Sequence, residues 1–253
     1  KRVQLAKGEV GLEAPKIAPT LSEFTPRFLE AIRLRSAEKP RTITFYEEKL
    51  RRLLENPKLA ESRLDRIEEE AIEGYIQRRR KVVSPASVNR ELATLRRLLR
   101  MAYGWKIIPR VPLIRLLPGE HVREFVLTHE QERLYLETCP QPLRDVASLI
   151  LDTGLRVGEA IALTWRDIVL DPLPGAKHGQ LTVREGKSRN ARRILNLSRR
   201  VKEILTRRFQ EDCPFVFTNQ QQDGKLSVFT LASQHSKARE SLEFPKDFVI
   251  HSL

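Results

Sequence analysis

Three side chains in the second half of the sequence are of types that can handle a phosphate, Arg156, Lys187 and His251, and a carboxylate, Glu159, stands near the first of them. Arg156 comes just after Gly154, which ends the apolar run Val146 to Leu151. Glycine there is a natural helix C-cap. Arg156 therefore falls where one buried helix stops and a second apolar turn, ending at Leu163, opens. A guanidinium mounted at such a break has its stem fixed by packing and its planar fork free to meet phosphate oxygens. Glu159, three residues on, shares its helical face and can orient that fork. On these residues alone a plain surface ion pair fits equally well.

Lys187 follows Gly186 in the very basic stretch Arg184 to Arg193. Strand-like runs flank it, Leu181-Thr182-Val183 and Ile194 to Leu197, so the pattern predicts a β-hairpin with a basic tip. An ammonium on a flexible stem, with a pKa that follows its surroundings, suits a proton donor. Arg184, Arg189, Arg192 and Arg193 suit contacts to a phosphate backbone, and a tip that only touches a polyanion has the same composition. His251 follows the apolar Phe248-Val249-Ile250. A single histidine after an apolar strand is ordinarily structural, and only its order behind Arg156 and Lys187 gives it weight.

The elements that must carry these groups are mostly helical. Lys1 to Pro19 is polar, with glycines and prolines, and reads as a flexible basic arm. Leu21, Phe24, Phe28, Ala31 and Ile32 predict one helix. Ile43, Tyr46, Leu50, Leu53 and Leu54 predict another, stopped at Asn56-Pro57. Asp65 with Glu68 resembles a capping box for a third helix carrying Ile67, Ala71, Tyr75 and Ile76. Ser84-Pro85 starts a fourth, with Val88, Leu92, Leu95, Leu99 and Ala102 on one stripe. Arg90 and Arg97 fall on its opposite face, flanked by Arg96 and Arg100. Such a bundle with a basic outer face fits DNA binding. Pro109, Pro112, Pro118 and Gly119 then mark residues 108–123 as a linker between domains 20–107 and 124–253. Beyond it, Thr128 with Gln131 forms a second capping box, Pro142 opens a helix, Ser198 caps another, and Val228 to Leu242 reads as helical.

Composition is consistent with two basic modules. There are 46 Lys and Arg against 33 Asp and Glu, a formal net charge of +13, with 40% apolar residues. That balance points to a polyanionic partner, most simply nucleic acid, and the apolar fraction excludes a disordered chain. Cys139 and Cys213 belong to no CxxC pair, so neither a disulfide framework nor a zinc site is expected. No run is long and apolar enough to span a membrane. There is no Walker loop and no GxGxxG. The other histidines lack ligand spacing, and no carboxylate cluster of the two-metal type is present.

Taken together, the motifs resemble those of one family. Thr153-Gly154-Leu155-Arg156-Val157-Gly158-Glu159 resembles the first conserved box of the tyrosine recombinases, the phage-integrase family of site-specific DNA recombinases. Gly186-Lys187-Ser188-Arg189, leading to Arg192-Arg193-Ile194-Leu195, is similar to the family's basic hairpin. His251-Ser252-Leu253 resembles the opening of its second box, His-x-Leu-Arg-His. The resemblance spans residues 20–253. It implies a mainly α fold with a small antiparallel β-sheet (α+β), in which a helical core-binding bundle and a catalytic domain clamp duplex DNA.

The chemistry implied is cleavage and rejoining of DNA through a covalent phosphotyrosine, with no metal or nucleotide cofactor. Arg156 would bind the non-bridging oxygens, and His251 the same phosphate. Lys187 would protonate the leaving 5′ oxygen, and Glu159 would support Arg156. The partner implied is a double-stranded recombination site, with self-association on it as a synaptic tetramer, in a prokaryotic cytoplasm at the nucleoid.

The sequence departs from that pattern at its end. The family's second arginine and its tyrosine nucleophile follow the second box, whereas Tyr46, Tyr75, Tyr103 and Tyr135 all precede Arg156. Tyr135 reads as packing. The chain starts at Lys1, and its single Met is Met101. The expectation is therefore a piece cut within the second box, able to bind DNA but not to cleave it. Two other readings remain: a non-catalytic DNA-binding regulator on the same scaffold, and a basic RNA- or ribosome-binding protein.

Overall fold

The computed structural model describes residues 17–120, 125–184, 192–219, 221 and 224–253. Its contacts divide the chain into two compact units, Lys1–Val122 and Arg123–Leu253. Each has its own apolar core.

The first unit is a helical bundle. Helix α1, Leu21–Arg35, opens on a capping box in which Thr20 Oγ1 accepts from the Glu23 amide at 3.1 Å and Glu23 accepts from the Thr20 amide at 2.8 Å. Leu21, Phe24, Phe28 and Ile32 recur at helical spacing and are buried. Helix α2, Pro40–Leu54, ends before Asn56-Pro57, but that pair restarts the chain as a single turn, α3, Pro57–Ala60. Proline at the first helical position has no amide to orphan.

The capping box expected at residues 65–68 does not form. Asp65 is held by Arg63 at 2.8 and 3.1 Å within a 3-10 turn, Leu64–Arg66. Helix α4, Glu69–Arg80, starts without a side-chain cap. An arginine two residues away is a stronger partner for the carboxylate than a backbone amide.

Helix α5, Pro85–Gly104, is the centre of the bundle. Its burial is wider than the single stripe in the sequence, taking in Asn89, Glu91, Thr94, Leu98 and Met101. Glu91 is 2% exposed and holds α4 from within. It accepts from Tyr75 Oη at 2.6 Å and from Nη2 and Nε of the Arg79 guanidinium at 2.6 and 2.9 Å. What remains exposed is one narrow strip bearing Arg90, Arg97 and Arg100.

Residues 108–120, expected as linker, run along this unit. Ile108 and Ile114 are buried in its core. Asn89 exchanges hydrogen bonds with the Leu117 main chain at 2.7 and 2.9 Å. Arg96 donates to the Ile114 carbonyl and is thereby withdrawn from the basic face. The prolines remove backbone donors, and these side chains satisfy the acceptors that remain. The arm residue Ala18 is also buried. The preceding residues 1–16 lie outside the described part.

The second unit places helices around a small sheet. Helix α6, His129–Thr138, opens on the Thr128–Gln131 capping box, at 2.9 and 3.2 Å. Helix α7, Leu143–Thr153, ends at Gly154, which takes the left-handed conformation (φ 64°). A one-turn helix α8, Val157–Ala160, follows. Strands β1 (Ile168–Val169), β2 (Gln180–Val183) and β3 (Arg193–Asn196) form an antiparallel sheet in that order, with Leu181 opposite both Ile168 and Leu195. Helix α9 is Arg199–Arg208, capped by Ser198, and α10 is Val228–Ser241. The chain then returns through buried Phe248 to a 3-10 turn, Ile250–Ser252. Among the described residues no helix is long and apolar enough to cross a membrane.

Candidate functional site

Arg156 is the N-cap residue of α8, two residues beyond the left-handed Gly154. Its side chain is 66% exposed, so packing does not fix its stem as the sequence led us to expect. What holds it is Glu159, whose side chain is only 9% exposed. One Glu159 oxygen accepts from Arg156 Nη1 at 2.9 Å, the other from the Arg156 amide at 2.9 Å. The amide bond fixes the carboxylate to the backbone, and the carboxylate in turn fixes the guanidinium. One face of the Arg156 fork is tied and the rest is open to solvent.

The carboxylate has a second guanidinium. Arg193, at the start of β3, donates to Glu159 at 2.8 and 3.4 Å, and to the Gly154 carbonyl at 3.5 Å. Its side chain is 27% exposed, so it is not a free backbone contact as its place in the basic stretch implied. The signal was in the strand pattern. Ile194 is 63% exposed while Leu195 packs on the core, and strand alternation puts Arg193 on the same inward side as Leu195.

Burial alone would push the Glu159 carboxyl up. Hydrogen bonds from Arg193, then from the amide and side chain of Arg156, outweigh it and hold the group down at about 2. The carboxylate is therefore charged throughout the physiological range.

Arg184 is likewise committed, to Asp167 at 2.5 Å and to the Arg166 carbonyl at 3.1 Å. Arg192 is exposed beside Arg193. Lys187 and Arg189 lie outside the described residues.

His251 is exposed on the 3-10 turn, with Ile250 beneath it buried and Leu253 packed on the core. Among the described residues no hydrogen bond joins it to the Arg156 group. Its mount is a buried network that the sequence did not reveal. His235 on α10 hydrogen-bonds the Phe248 carbonyl through Nε2 at 3.1 Å and Tyr135 Oη through Nδ1 at 2.7 Å. A carbonyl only accepts, so Nε2 carries the proton, and Tyr135 donates to Nδ1. Burial holds His235 below its ordinary value and raises the Tyr135 phenol, so both are neutral. The rings of Tyr135, His235 and Phe248 stack edge-on with centroids 4.9 to 5.6 Å apart. Tyr135 is fully buried.

In the first unit, Arg90 and Arg97 are exposed on α5. Arg90 curls back to the Ala86 carbonyl at 2.8 Å, and Arg97 lies 5.2 Å over the Tyr46 ring. Both contacts leave guanidinium donors for another ligand. Among the described residues no group of three or more His, Cys, Asp or Glu is placed to hold a metal ion.

Comparison with known proteins agrees with this architecture. Residues 26–105 match the phage integrase N-terminal SAM-like domain. A stretch of 79 residues is 34% identical to the integrase of Salmonella phage P22, spanning 30% of this chain and 20% of that protein's length. The fold is similar to that of the Tn1549 transposon integrase solved with a circular intermediate DNA. There the TM-score is 0.76 at 17% identity, over 94% of this chain and 84% of that one. It is similar to a lambda integrase dimer bound to a core site (TM-score 0.75, 19% identity, 100% of this chain and 71% of that one). It also resembles a lambda integrase tetramer bound to a Holliday junction (TM-score 0.75, 20% identity, 93% and 70%).

Proposed function

We propose that the chain is a tyrosine recombinase of the integrase family, that it binds duplex DNA at a recombination site, and that it contributes Arg156 to the phosphate that is cut. The observation that carries this reading is the Glu159 anchor. An arginine two-thirds exposed yet tied at 2.9 Å to a nearly buried, charged carboxylate is positioned at little entropic cost, with donors left for an anion. Phosphoryl transfer places negative charge on the non-bridging oxygens, and a preorganised guanidinium stabilises that charge.

In the reaction so read, a tyrosine oxygen attacks phosphorus, the bond to the 5′ oxygen breaks, and the 3′ phosphate stays on the tyrosine. Lys187 gives its proton to the departing 5′ oxygen. His251, exposed on its rigid turn, hydrogen-bonds the same phosphate. Arg90, Arg97, Arg189 and Arg192 contact the backbone. Energy is conserved in the phosphotyrosine bond, so rejoining needs no nucleotide.

None of the four tyrosines follows the second box, and Tyr135 is buried. The polypeptide as it stands therefore binds without cleaving. Likeness to integrases held as dimers and tetramers on DNA supports self-association on the site. The test is incubation with a pool of nicked suicide duplexes of random sequence, resolved on native and denaturing gels. Retarded DNA with no denaturant-resistant adduct is expected. Absence of any retardation at low salt overturns the DNA-binding reading, and an adduct overturns the inactivity.

A further inference from the structure

We propose that Arg193 is a positioning residue for Arg156: it neutralises Glu159 so that Arg156 keeps a net positive charge for the phosphate. This rests on the reading that Arg156 meets DNA phosphate. The argument is one of charge balance. Arg156, Glu159 and Arg193 are joined through a single carboxylate, with the ion-pair contacts at 2.9 and 2.8 Å. By themselves these two guanidiniums and one carboxylate sum to +1. Without Arg193 the pair that remains is neutral, and the Glu159 charge falls on Arg156 alone. The anchor that positions Arg156 would then also quench it.

Several features separate this from an incidental salt bridge. Arg193 is much less exposed than Arg156, 27% against 66%, so it is the more sheltered partner and Arg156 the presented one. It also reaches the Gly154 carbonyl at the end of α7, spanning the break on which Arg156 is mounted. Finally, it begins β3 directly after the basic stretch that carries Lys187. The base of that hairpin and the mount of Arg156 thus share one carboxylate.

The experiment is equilibrium binding of the whole chain to a short fluorescent duplex over a range of salt, by anisotropy. Each lost phosphate contact lowers the slope of log affinity against log salt by about 0.9. Arg156→Gln should lower the slope by one contact, and Arg193→Gln by the same amount. The double variant Arg156→Gln with Arg193→Gln should fall no further than either single one. Glu159→Gln with Arg193→Gln removes both charges, leaves Arg156 unquenched, and should restore the wild-type slope, as should Arg193→Lys.

A direct phosphate contact by Arg193 would instead cost two contacts in the double variant with no rescue by Glu159→Gln. A merely structural role would lower the melting temperature of Arg193→Gln with the slope unchanged. Either result overturns the inference. An Arg156→Gln variant with wild-type slope overturns the phosphate reading itself, and the inference with it. The charge-neutral double variant guards against misfolding, since it leaves no unpaired buried group.

Discussion

Replacing Tyr135 by Phe separates the two things a tyrosine in this domain could do. The side chain is fully buried, and its hydroxyl donates at 2.7 Å to Nδ1 of His235, itself 5% exposed. Removing one oxygen opens no sizeable cavity, so the cost is that of the orphaned acceptor. A buried polar atom left without its partner costs about 1–3 kcal/mol. At about 2 kcal/mol, a unit of this size loses roughly 8 °C in melting temperature.

The loss also has a pH signature to be measured against. Burial, with a smaller push from Arg239, holds His235 below its ordinary value, and the hydrogen bond to the Phe248 carbonyl opposes this only in part. A depressed folded pKa means that the unfolded chain takes up the proton first. The network's contribution is therefore complete above about pH 6.5 and is lost as pH falls below it. Calorimetry of wild type and Tyr135→Phe at neutral pH and near pH 5 reads both effects. The reasoning fails if the melting of the second unit is unchanged by the substitution. It fails differently if wild type forms a covalent DNA adduct that Tyr135→Phe abolishes, because the hydroxyl would then be chemical and reachable.

Two further outcomes follow from the charges. Arg90→Ala and Arg97→Ala should each weaken duplex binding uniformly across sequences and lower the salt slope by about one contact, measured by anisotropy; unchanged affinity for both at low salt would remove α5 from the DNA-facing surface. Glu159 is held at about 2 against an ordinary carboxylate near 4.5, so its contribution is complete above about 4.5 and is lost as pH falls from there through about 2, worth at most about 3 kcal/mol because Arg156 is exposed and screened. Acid unfolding followed by circular dichroism should show this limb in wild type and not in Glu159→Gln.

The helices and the hairpin were legible because each has a local cause. Apolar side chains at helical spacing, Pro at first turns and Gly154 at a C-cap act within a few residues, and the observed elements follow them closely. The capping box expected at Asp65 failed for an equally local reason that competed, the Arg63 guanidinium. The supposed linker was obscured by its composition. Three prolines and a glycine between residues 108 and 120 look like a connector, but Ile108, Val111, Ile114 and Leu117 bring enough apolar surface to lay the segment on α5. A segment without regular structure needs partners for its backbone, and Asn89 and Arg96 supply them from a helix whose outer face was read as basic.

The site was legible only in its presented half. Arg156, Lys187 and His251 carry motif signals because their types are those a phosphate requires, and Glu159 because it stands one helical turn from Arg156. The residues that hold them carry none, since they are chosen by distance in space. Arg193 is 34 positions from Glu159 and Tyr135 is 100 from His235. No window of sequence contains either pair. Arg193 was hidden twice, because it stands in a stretch so basic that every arginine there looks like a phosphate contact. Yet one cation turned inward changes what the stretch does. Arg184 and Arg193 are committed to Asp167 and Glu159, so the basic tip has fewer free charges than its composition implies. Part of its charge is used to keep two carboxylates ionised beside the site. A basic composition thus overstates the polyanion surface and understates how firmly Arg156 is aimed.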